Sequence, residues 1–189
     1  MKFSHFAAAL LSVSLLSGCA PLVVGGAGIG VLVTEDRRTP ATYLMDEEIE
    51  LTAGYRLMEA KLEKVHANFT SYNRRVLMTG EAPTEALKAR VAEIAREVKN
   101  VREVMNEIAL ASPTSLVSRS NDAMLTVRVK ARLFDDRRFS ANHIKVVTEN
   151  GVVYLLGIVT AEEGAAAAEV ASKTSGVTRV VTGYEPHKK

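Results

Sequence analysis

Apolar residues recur along this chain at spacings that predict short helices and short strands. Two stretches carry apolar residues four positions apart, which places them on one face of a helix. These residues are Ile49, Ala53 and Leu57 in the first stretch and Leu125, Val129 and Leu133 in the second. We expect Asn121 or Asp122 to cap the second helix with its side chain.

Two short strands joined by a tight turn are predicted after each of these helices. The turns fall at residues 72–74 and 149–151, and Asn150-Gly151 is the strongest hairpin signal because both residues accept a positive φ. Arg74 stands where the second turn has Gly151, which leaves the geometry of the first turn open. A second helix and a third strand complete each unit, at about 87–98 and 101–108 in the first and about 161–174 and 177–184 in the second.

The two units repeat one another, because apolar positions, glycines and turns coincide at a period of about 76 residues. Residues 66–85 align with residues 143–162 at a spacing of 77, and residues 101–104 align with residues 177–180 at a spacing of 76. The predicted fold class is therefore α+β, with two tandem domains, each αββαβ with two helices packed on a small three-stranded mixed sheet. The predicted core includes Leu57, Val76, Leu133 and Val153, and Gly80 and Gly157 are predicted to mark close approach of helix and strand.

The N-terminus has the three parts of a secretory signal, namely Lys2, an apolar run from Phe6 to Leu16, and small residues before the only cysteine. The run is shorter than the roughly 20 residues of a spanning helix, which disfavours a retained transmembrane anchor. Leu16-Ser17-Gly18-Cys19 resembles the bacterial lipobox, which implies cleavage before Cys19 and acylation of its sulfur and new amine. Ala20 in the next position resembles lipoproteins sent to the outer membrane, so we expect the chain on the periplasmic face of that membrane, lipid-anchored at Cys19.

These signals divide the chain into four parts. Residues 1–18 are predicted to be a cleaved signal peptide, and residues 19–45 a lipidated linker. The first domain is predicted to cover residues 46–111 and the second residues 119–189, with Ser112-Pro113-Thr114-Ser115 between them.

Composition and motifs argue against an enzyme and against a nucleic-acid-binding protein. Lys and Arg number 24 against 22 Asp and Glu, and a net charge of +2 is too small for a general nucleic-acid binder. The sequence contains no G-x-S-x-G, no H-E-x-x-H and no cluster of metal-ligating residues at a known spacing. His66 and His143 occupy matching positions before a strand, which is more typical of a turn or strand edge than of catalysis. We therefore expect no catalytic residue, cofactor, bound metal or small-molecule substrate.

Charge distinguishes the two repeats. Residues 46–110 carry 10 basic and 12 acidic residues, whereas residues 119–189 carry 11 basic and 8 acidic residues. The first helix of the second repeat, about residues 122–134, has an apolar strip with cations on both edges. The strip is formed by Met124, Val127, Ala131 and Phe134, with Lys130 on one edge and Arg128 and Arg132 on the other.

An apolar strip between cations is typical of a helix that lies in a membrane interface, so these seven residues are predicted to bind anionic phospholipid. The alternative is that the strip packs on the first domain while its cations are solvated. The equivalent positions of the first repeat are Glu48, Leu51, Tyr55 and Met58, with Glu47 and Glu50 nearby, and that helix lacks the cations. We do not expect that helix to bind anionic lipid.

A V-x-L-x-G strand, with Met78 in place of the leucine in the first copy, followed by a helix that ends before a Val-x-x-Val strand, occurs twice behind the lipobox. This arrangement resembles the BON domain, and the whole chain resembles the DolP group of dual-BON-domain outer-membrane lipoproteins. The resemblance is most specific at residues 120–122, 146–151, 156–157, 171–172 and 175–177.

The resemblance implies a non-enzymatic periplasmic protein that helps to maintain outer-membrane integrity and binds anionic phospholipid through its second BON domain. It also implies association with the division site and with outer-membrane protein assembly. Two classes of function therefore remain, which are compatible with each other. One is a tethered lipid-binding module, and the other is a protein-interaction adaptor for outer-membrane protein assembly or for division and cell-wall factors.

Overall fold

The computed structural model describes residues 36–187, which form two domains of the same topology. The first contains helix α1 (Pro40–Glu59), strands β1 (His66–Tyr72) and β2 (Arg75–Ala82), helix α2 (Glu85–Arg96) and strands β3 (Glu103–Asn106) and β4 (Ala109–Leu110). The second contains helix α3 (Leu116–Asp135), a 3-10 turn (Ala141–His143), strands β5 (Ile144–Glu149) and β6 (Val152–Val159), helix α4 (Ala161–Ser172) and strand β7 (Arg179–Pro186). The predicted αββαβ order is confirmed in both domains.

Each domain has its own mixed sheet, with the second hairpin strand in the centre. β2 pairs antiparallel with β1 and parallel with β3 and β4, and β6 pairs antiparallel with β5 and parallel with β7. The third strand of the first domain is interrupted, because the Asn106 side chain accepts the N–H of Ile108 at 3.2 Å and turns the chain between β3 and β4. The predicted three-stranded arrangement therefore holds, with one strand in two segments.

Both long helices begin earlier than predicted. α1 begins at Pro40, before the predicted domain boundary at residue 46, and the Thr39 hydroxyl accepts the N–H of the residue three positions on, at 3.1 Å. Proline is tolerated at the first helical position because its missing N–H would have no partner there. Ser115 caps α3 in the same way at 3.2 Å, so the prediction of Asn121 or Asp122 as the cap is wrong.

In each domain, a buried aspartate of the long first helix instead accepts hydrogen bonds from the hairpin turn. Asp46 accepts the N–H groups of Asn73 and Arg74 at 2.8 and 2.7 Å, and Asp122 accepts the two equivalent N–H groups of the second turn at 2.9 and 2.8 Å. All four turn residues have a positive φ, which is the type I′ geometry. Arg74 thus adopts the conformation that Gly151 adopts, and the two turns are alike.

Gly80 and Gly157 allow close approach of two strands, so the prediction of helix–strand approach is wrong. A Cβ on Gly80 would lie 2.1 Å from the carbonyl oxygen of His66, and a Cβ on Gly157 would lie 2.5 Å from that of His143. Both carbonyls belong to the chain that pairs with the glycine's own strand. Only a residue without a side chain fits at either position.

The central strands are buried on both faces, because alternate residues enter different cores. The side chains that pack with the helices include Val76, Met78, Val153 and Leu155. Those that form a shared cluster between the two domains are Tyr72, Leu77, Tyr154 and Leu156. The sheets therefore pack on each other through the faces that carry no helix. Of the predicted core residues, Val76, Val153 and Leu133 are fully buried, and Leu57 is partly buried.

Candidate functional site

The apolar strip predicted on α3 is exposed in the structure. Leu125, Val129 and Leu133 face the core, as predicted. On the other side of the helix, Met124, Val127 and Phe134 are 65%, 67% and 78% exposed, and Ala131 is exposed as well. The alternative interpretation, in which the strip packs on the first domain, is therefore wrong.

The strip is longer than predicted because α3 begins at Leu116. At 100° per residue, Leu116 falls at the same angle as Phe134, and Val117 falls within about 20° of Met124. Both added side chains are exposed. At 1.5 Å per residue, the surface from Leu116 to Phe134 is about 27 Å long. We call the six residues Leu116, Val117, Met124, Val127, Ala131 and Phe134 the α3 strip. The predicted strip lacks Leu116 and Val117 because residues 112–115 fit a linker, although Ser115 is also a helix-cap signal.

Two of the predicted cations are held in place by the chain that follows α4. Arg128 donates through Nη1 to the carbonyl oxygen of Ser175 at 2.7 Å, and Arg132 donates through Nη1 to that of Lys173 at 2.5 Å. These acceptors are neutral, so each guanidinium keeps its charge and has further N–H groups for another acceptor. Because they are already positioned, less side-chain entropy is lost when they bind an anion.

Carboxylates are unevenly distributed around the α3 strip. Asp122 is buried at the hairpin turn, and Asp135 is exposed at the last residue of the helix. On the Lys130 edge, Glu47 of the first domain lines the same cavity of about 470 Å³ as Lys130 and Phe134. The cations Arg38 and Lys145 line the same cavity, so the Lys130 edge carries both signs of charge.

Helix α1 has an equivalent apolar strip in different electrostatic surroundings. Its exposed residues are Leu44, Leu51, Tyr55 and Met58, which we call the α1 strip. Glu47, Glu48 and Glu59 are exposed on the same helix. Leu51, Tyr55 and Met58 lie 76 positions before Val127, Ala131 and Phe134, so the two strips can be compared at these three pairs, whereas Met124 corresponds to Glu48.

Polar side chains also meet between the domains, where the sequence predicts no site. The His66 Nδ1 and Glu81 Oε2 atoms are 3.1 Å apart, and Asn68 Nδ2 donates to Glu149 Oε2 at 3.1 Å. One potential ligand atom from each of His66, Glu81 and Glu149 lies within 4.8 Å of the others. We call these three residues the interdomain cluster. No sequence spacing indicates it, because its members come from three different strands.

The segment before α1 is attached to the second domain by a bidentate ion pair. Arg37 donates to the two carboxylate oxygens of Glu163 at 2.6 and 2.8 Å and to the carbonyl oxygen of Ile158 at 2.8 Å. The hydrogen bonds from Arg37 lower the pKa of Glu163 to about 2. Glu163 also forms a capping box with Thr160 at the start of α4.

Cys19 and the predicted signal peptide lie outside the described residues. Across residues 36–187, no helix combines the length and the apolar character needed to cross a bilayer.

Comparison with known proteins assigns the two repeats to one family. The model of the BON domain matches residues 55–112 and residues 121–183. The chain belongs to the BON-domain family. Among its relatives are the outer membrane lipoprotein DolP of Haemophilus influenzae, 38% identical over 90% of this chain and 89% of the relative, and a 21 kDa hemolysin of Actinobacillus pleuropneumoniae, 34% identical over 77% and 76%. The osmotically-inducible protein Y of Escherichia coli is 29% identical over 56% of this chain and 54% of the relative.

Proposed function

We propose that the chain is an outer-membrane lipoprotein anchored at Cys19, whose second BON domain binds anionic phospholipid through the α3 strip and helps to maintain membrane integrity. The observation that carries this proposal is the strip itself, about 27 Å of exposed apolar helix with positioned guanidinium groups on one edge. The name of the Haemophilus influenzae relative supports the location. The role is binding rather than catalysis.

Apolar contacts contribute more to the proposed affinity than charge does. Full burial of a Val, Leu, Met or Phe side chain is worth about 1.5–3 kcal/mol. The strip has five such side chains, so even half burial of each, as expected for an interfacial helix, exceeds the contribution of three cations at about 1 kcal/mol each. Salt is therefore expected to weaken binding without abolishing it.

Vesicle co-sedimentation tests the proposal. A soluble form that lacks Cys19 is expected to bind phosphatidylglycerol vesicles and to bind phosphatidylcholine vesicles much more weakly. The double variant Met124→Glu plus Arg128→Glu replaces an apolar contact and reverses a charge, and we expect at least about tenfold weaker binding. Equal binding of the double variant and the wild type would remove this mechanism.

The repeat supplies a matched control for that experiment. Phe134→Glu on the α3 strip is expected to weaken binding, whereas Met58→Glu at the equivalent position of the α1 strip is expected to leave it unchanged. Equal losses from both variants would contradict a role specific to the second domain.

The anchor is tested separately by mass spectrometry of the mature protein. We expect acyl chains on Cys19, and Cys19→Ala is expected to leave the protein outside the membrane fraction. Finding an unmodified Cys19 on the mature protein would remove the proposed anchor without affecting the vesicle result.

The α1 strip supports a second function, as an adaptor surface for a polypeptide partner. Its acidic neighbours disfavour an anionic bilayer and favour a partner with basic residues around an apolar face. Proteins of outer-membrane assembly or division are the partner classes to test. Co-purification that is lost in Leu51→Glu plus Met58→Glu but kept in Met124→Glu plus Arg128→Glu would support this function. The reverse pattern would contradict it.

A further inference from the structure

The interdomain cluster has the composition of a divalent-cation site. It offers one imidazole nitrogen and two carboxylate oxygens, within 4.8 Å of one another. Zinc bonds to such atoms are about 2.0–2.2 Å long, which sets neighbouring ligands of a tetrahedral ion about 3.4 Å apart. His66 Nδ1 and Glu81 Oε2 are already 3.1 Å apart. Side-chain movement of about 1 Å would bring the Glu149 carboxylate to the same distance.

Electrostatics favour a cation at this place. Glu81 and Glu149 are only 2% and 8% exposed. Within residues 36–187, no Lys or Arg nitrogen lies within 4.0 Å of either carboxylate. Buried carboxylates are costly unless they are paired or bind a metal. His66 is the basic side chain within 4.0 Å of Glu81 among the described residues, and it is charged only when protonated.

The other repeat shows that the fold does not require these two carboxylates. At the spacing of 77, the equivalent of Glu81 is Ile158, and the equivalent of Glu149 is Tyr72. Both are part of the apolar cluster between the sheets. Apolar side chains therefore occupy the same backbone positions in the other repeat. Burial of the two glutamates costs desolvation free energy, and packing does not explain why they are present.

Space and an unsatisfied hydroxyl adjoin the interdomain cluster. A cavity of about 390 Å³ is lined by His66, Glu149 and Arg119, which leaves room for water to complete a coordination shell. The Thr114 N–H donates to Glu81 Oε2 at 3.2 Å, and Thr114 Oγ1 is buried without a hydrogen-bond partner among the described residues. That hydroxyl is able to accept a hydrogen bond from a metal-bound water.

Arg119 allows a test of whether the ligand bound at the interdomain cluster is positively charged. Its Nη2 donates to the carbonyl oxygen of Thr114 at 3.1 Å instead of pairing with a glutamate. Because Arg119 lines the same cavity, its positive charge opposes a cation there. Removing that charge should therefore strengthen cation binding at the interdomain cluster.

We propose that His66, Glu81 and Glu149 bind one divalent zinc ion between the two BON domains, with water as a further ligand. An imidazole with carboxylates is a donor set that suits zinc better than magnesium or calcium, which prefer oxygen ligands alone. His66 and Glu81 belong to the first domain and Glu149 to the second. The ion therefore links the domains and stabilises their packing.

The experiment uses the full chain, purified without an affinity tag in non-ionic detergent and dialysed against Zn²⁺. We expect one zinc per chain by elemental mass spectrometry. We also expect a rise in Tm of about 5–10 °C at a zinc concentration about 100 times Kd. Glu81→Gln and Glu149→Gln are each expected to bind zinc at least about tenfold more weakly. Glu50→Gln, a control that removes the interdomain carboxylate paired with Lys145 at 2.7 Å, is expected to keep the zinc.

Arg119→Gln gives a second test in case Glu81→Gln or Glu149→Gln fails to fold. It is expected to bind zinc several-fold more tightly than the wild type. Absence of retained zinc in the wild type would overturn the proposal, as would equal zinc in the wild type and a folded Glu81→Gln or Glu149→Gln. Weaker zinc binding by Arg119→Gln would overturn it as well. None of these outcomes depends on phospholipid.

Discussion

Replacing Asp46 by asparagine tests whether the contact between α1 and the hairpin turn holds the first domain together. Asp46 is fully buried. Its Oδ1 accepts from Ser71 Oγ at 2.6 Å and from the Arg74 N–H at 2.7 Å, and its Oδ2 accepts from the Asn73 N–H at 2.8 Å and from Arg38 Nη1 at 2.9 Å. Asparagine has the same shape but only one acceptor oxygen, so two of the four donors would face an NH₂ group.

The expected loss of stability is about 3–5 kcal/mol. A hydrogen bond to a charged group contributes about 1.5–3 kcal/mol, and two are lost. The Arg38 side chain is 6% exposed and would keep only its ion pair with Asp36, and removal of one member of a buried pair costs about 3–5 kcal/mol. This loss is a large part of a total stability of about 5–15 kcal/mol. Because Tm changes by about 2–4 °C per kcal/mol, Tm should fall by about 6–20 °C.

Urea unfolding measures the loss in free energy of unfolding for Asp46→Asn and for Asp122→Asn, the equivalent change in the second domain. Asp122 accepts two backbone N–H groups, and its turn contains Gly151, which adopts a positive φ without strain. The expected loss for Asp122→Asn is therefore smaller, about 1.5–3 kcal/mol. A loss below about 1 kcal/mol for Asp46→Asn, or one smaller than that of Asp122→Asn, would refute this account of the turn.

Two further changes test the packing, and a third tests the ion pair between Arg37 and Glu163. Gly157→Ala places a Cβ 2.5 Å from the His143 carbonyl and should cost at least about 1–3 kcal/mol in urea unfolding. Leu133→Ala empties a fully buried site and should cost about 2–5 kcal/mol in the same assay. Arg37→Ala removes the partner that lowers the pKa of Glu163 from 4.5 to about 2. The wild type should be more stable than Arg37→Ala by about 1.5–3 kcal/mol above pH 4.5. This difference should vanish as the pH falls towards 2, because Glu163 is then protonated in the folded protein as well. A difference that does not change with pH in thermal unfolding would contradict this account.

Local patterns were enough to predict the elements and the repeat. Apolar spacing predicted the helices, and Asn150-Gly151 predicted a two-residue turn. The starts of α1 and α3 lie before the predicted ones because Pro40 and Pro113 fit a linker, whereas a proline at or just before a helix start is also compatible with the helix. The error shortened the α3 strip by Leu116 and Val117.

Contacts between domains could not be predicted in the same way. β2 and β6 carry apolar residues on both faces, but periodicity does not say what covers the second face. Asp122 fits both a helix cap and a turn acceptor, and only the fold decides between them. The interdomain cluster depends on residues 66, 81 and 149, which come together only when the sheets pack on each other.

Packing of the sheets also explains why the two helices are free to differ. Each sheet buries its second face on the other, through side chains such as Leu77 and Tyr154, so neither domain has to use the outer face of its long helix for stability. The α1 strip and the α3 strip can therefore diverge in charge while the scaffold stays the same. An isolated second domain would expose the apolar face around Tyr154, and its binding to vesicles would then report that face as well as the α3 strip. For this reason the comparison of Phe134→Glu with Met58→Glu in the two-domain protein isolates the role of the strip, which a single-domain fragment does not.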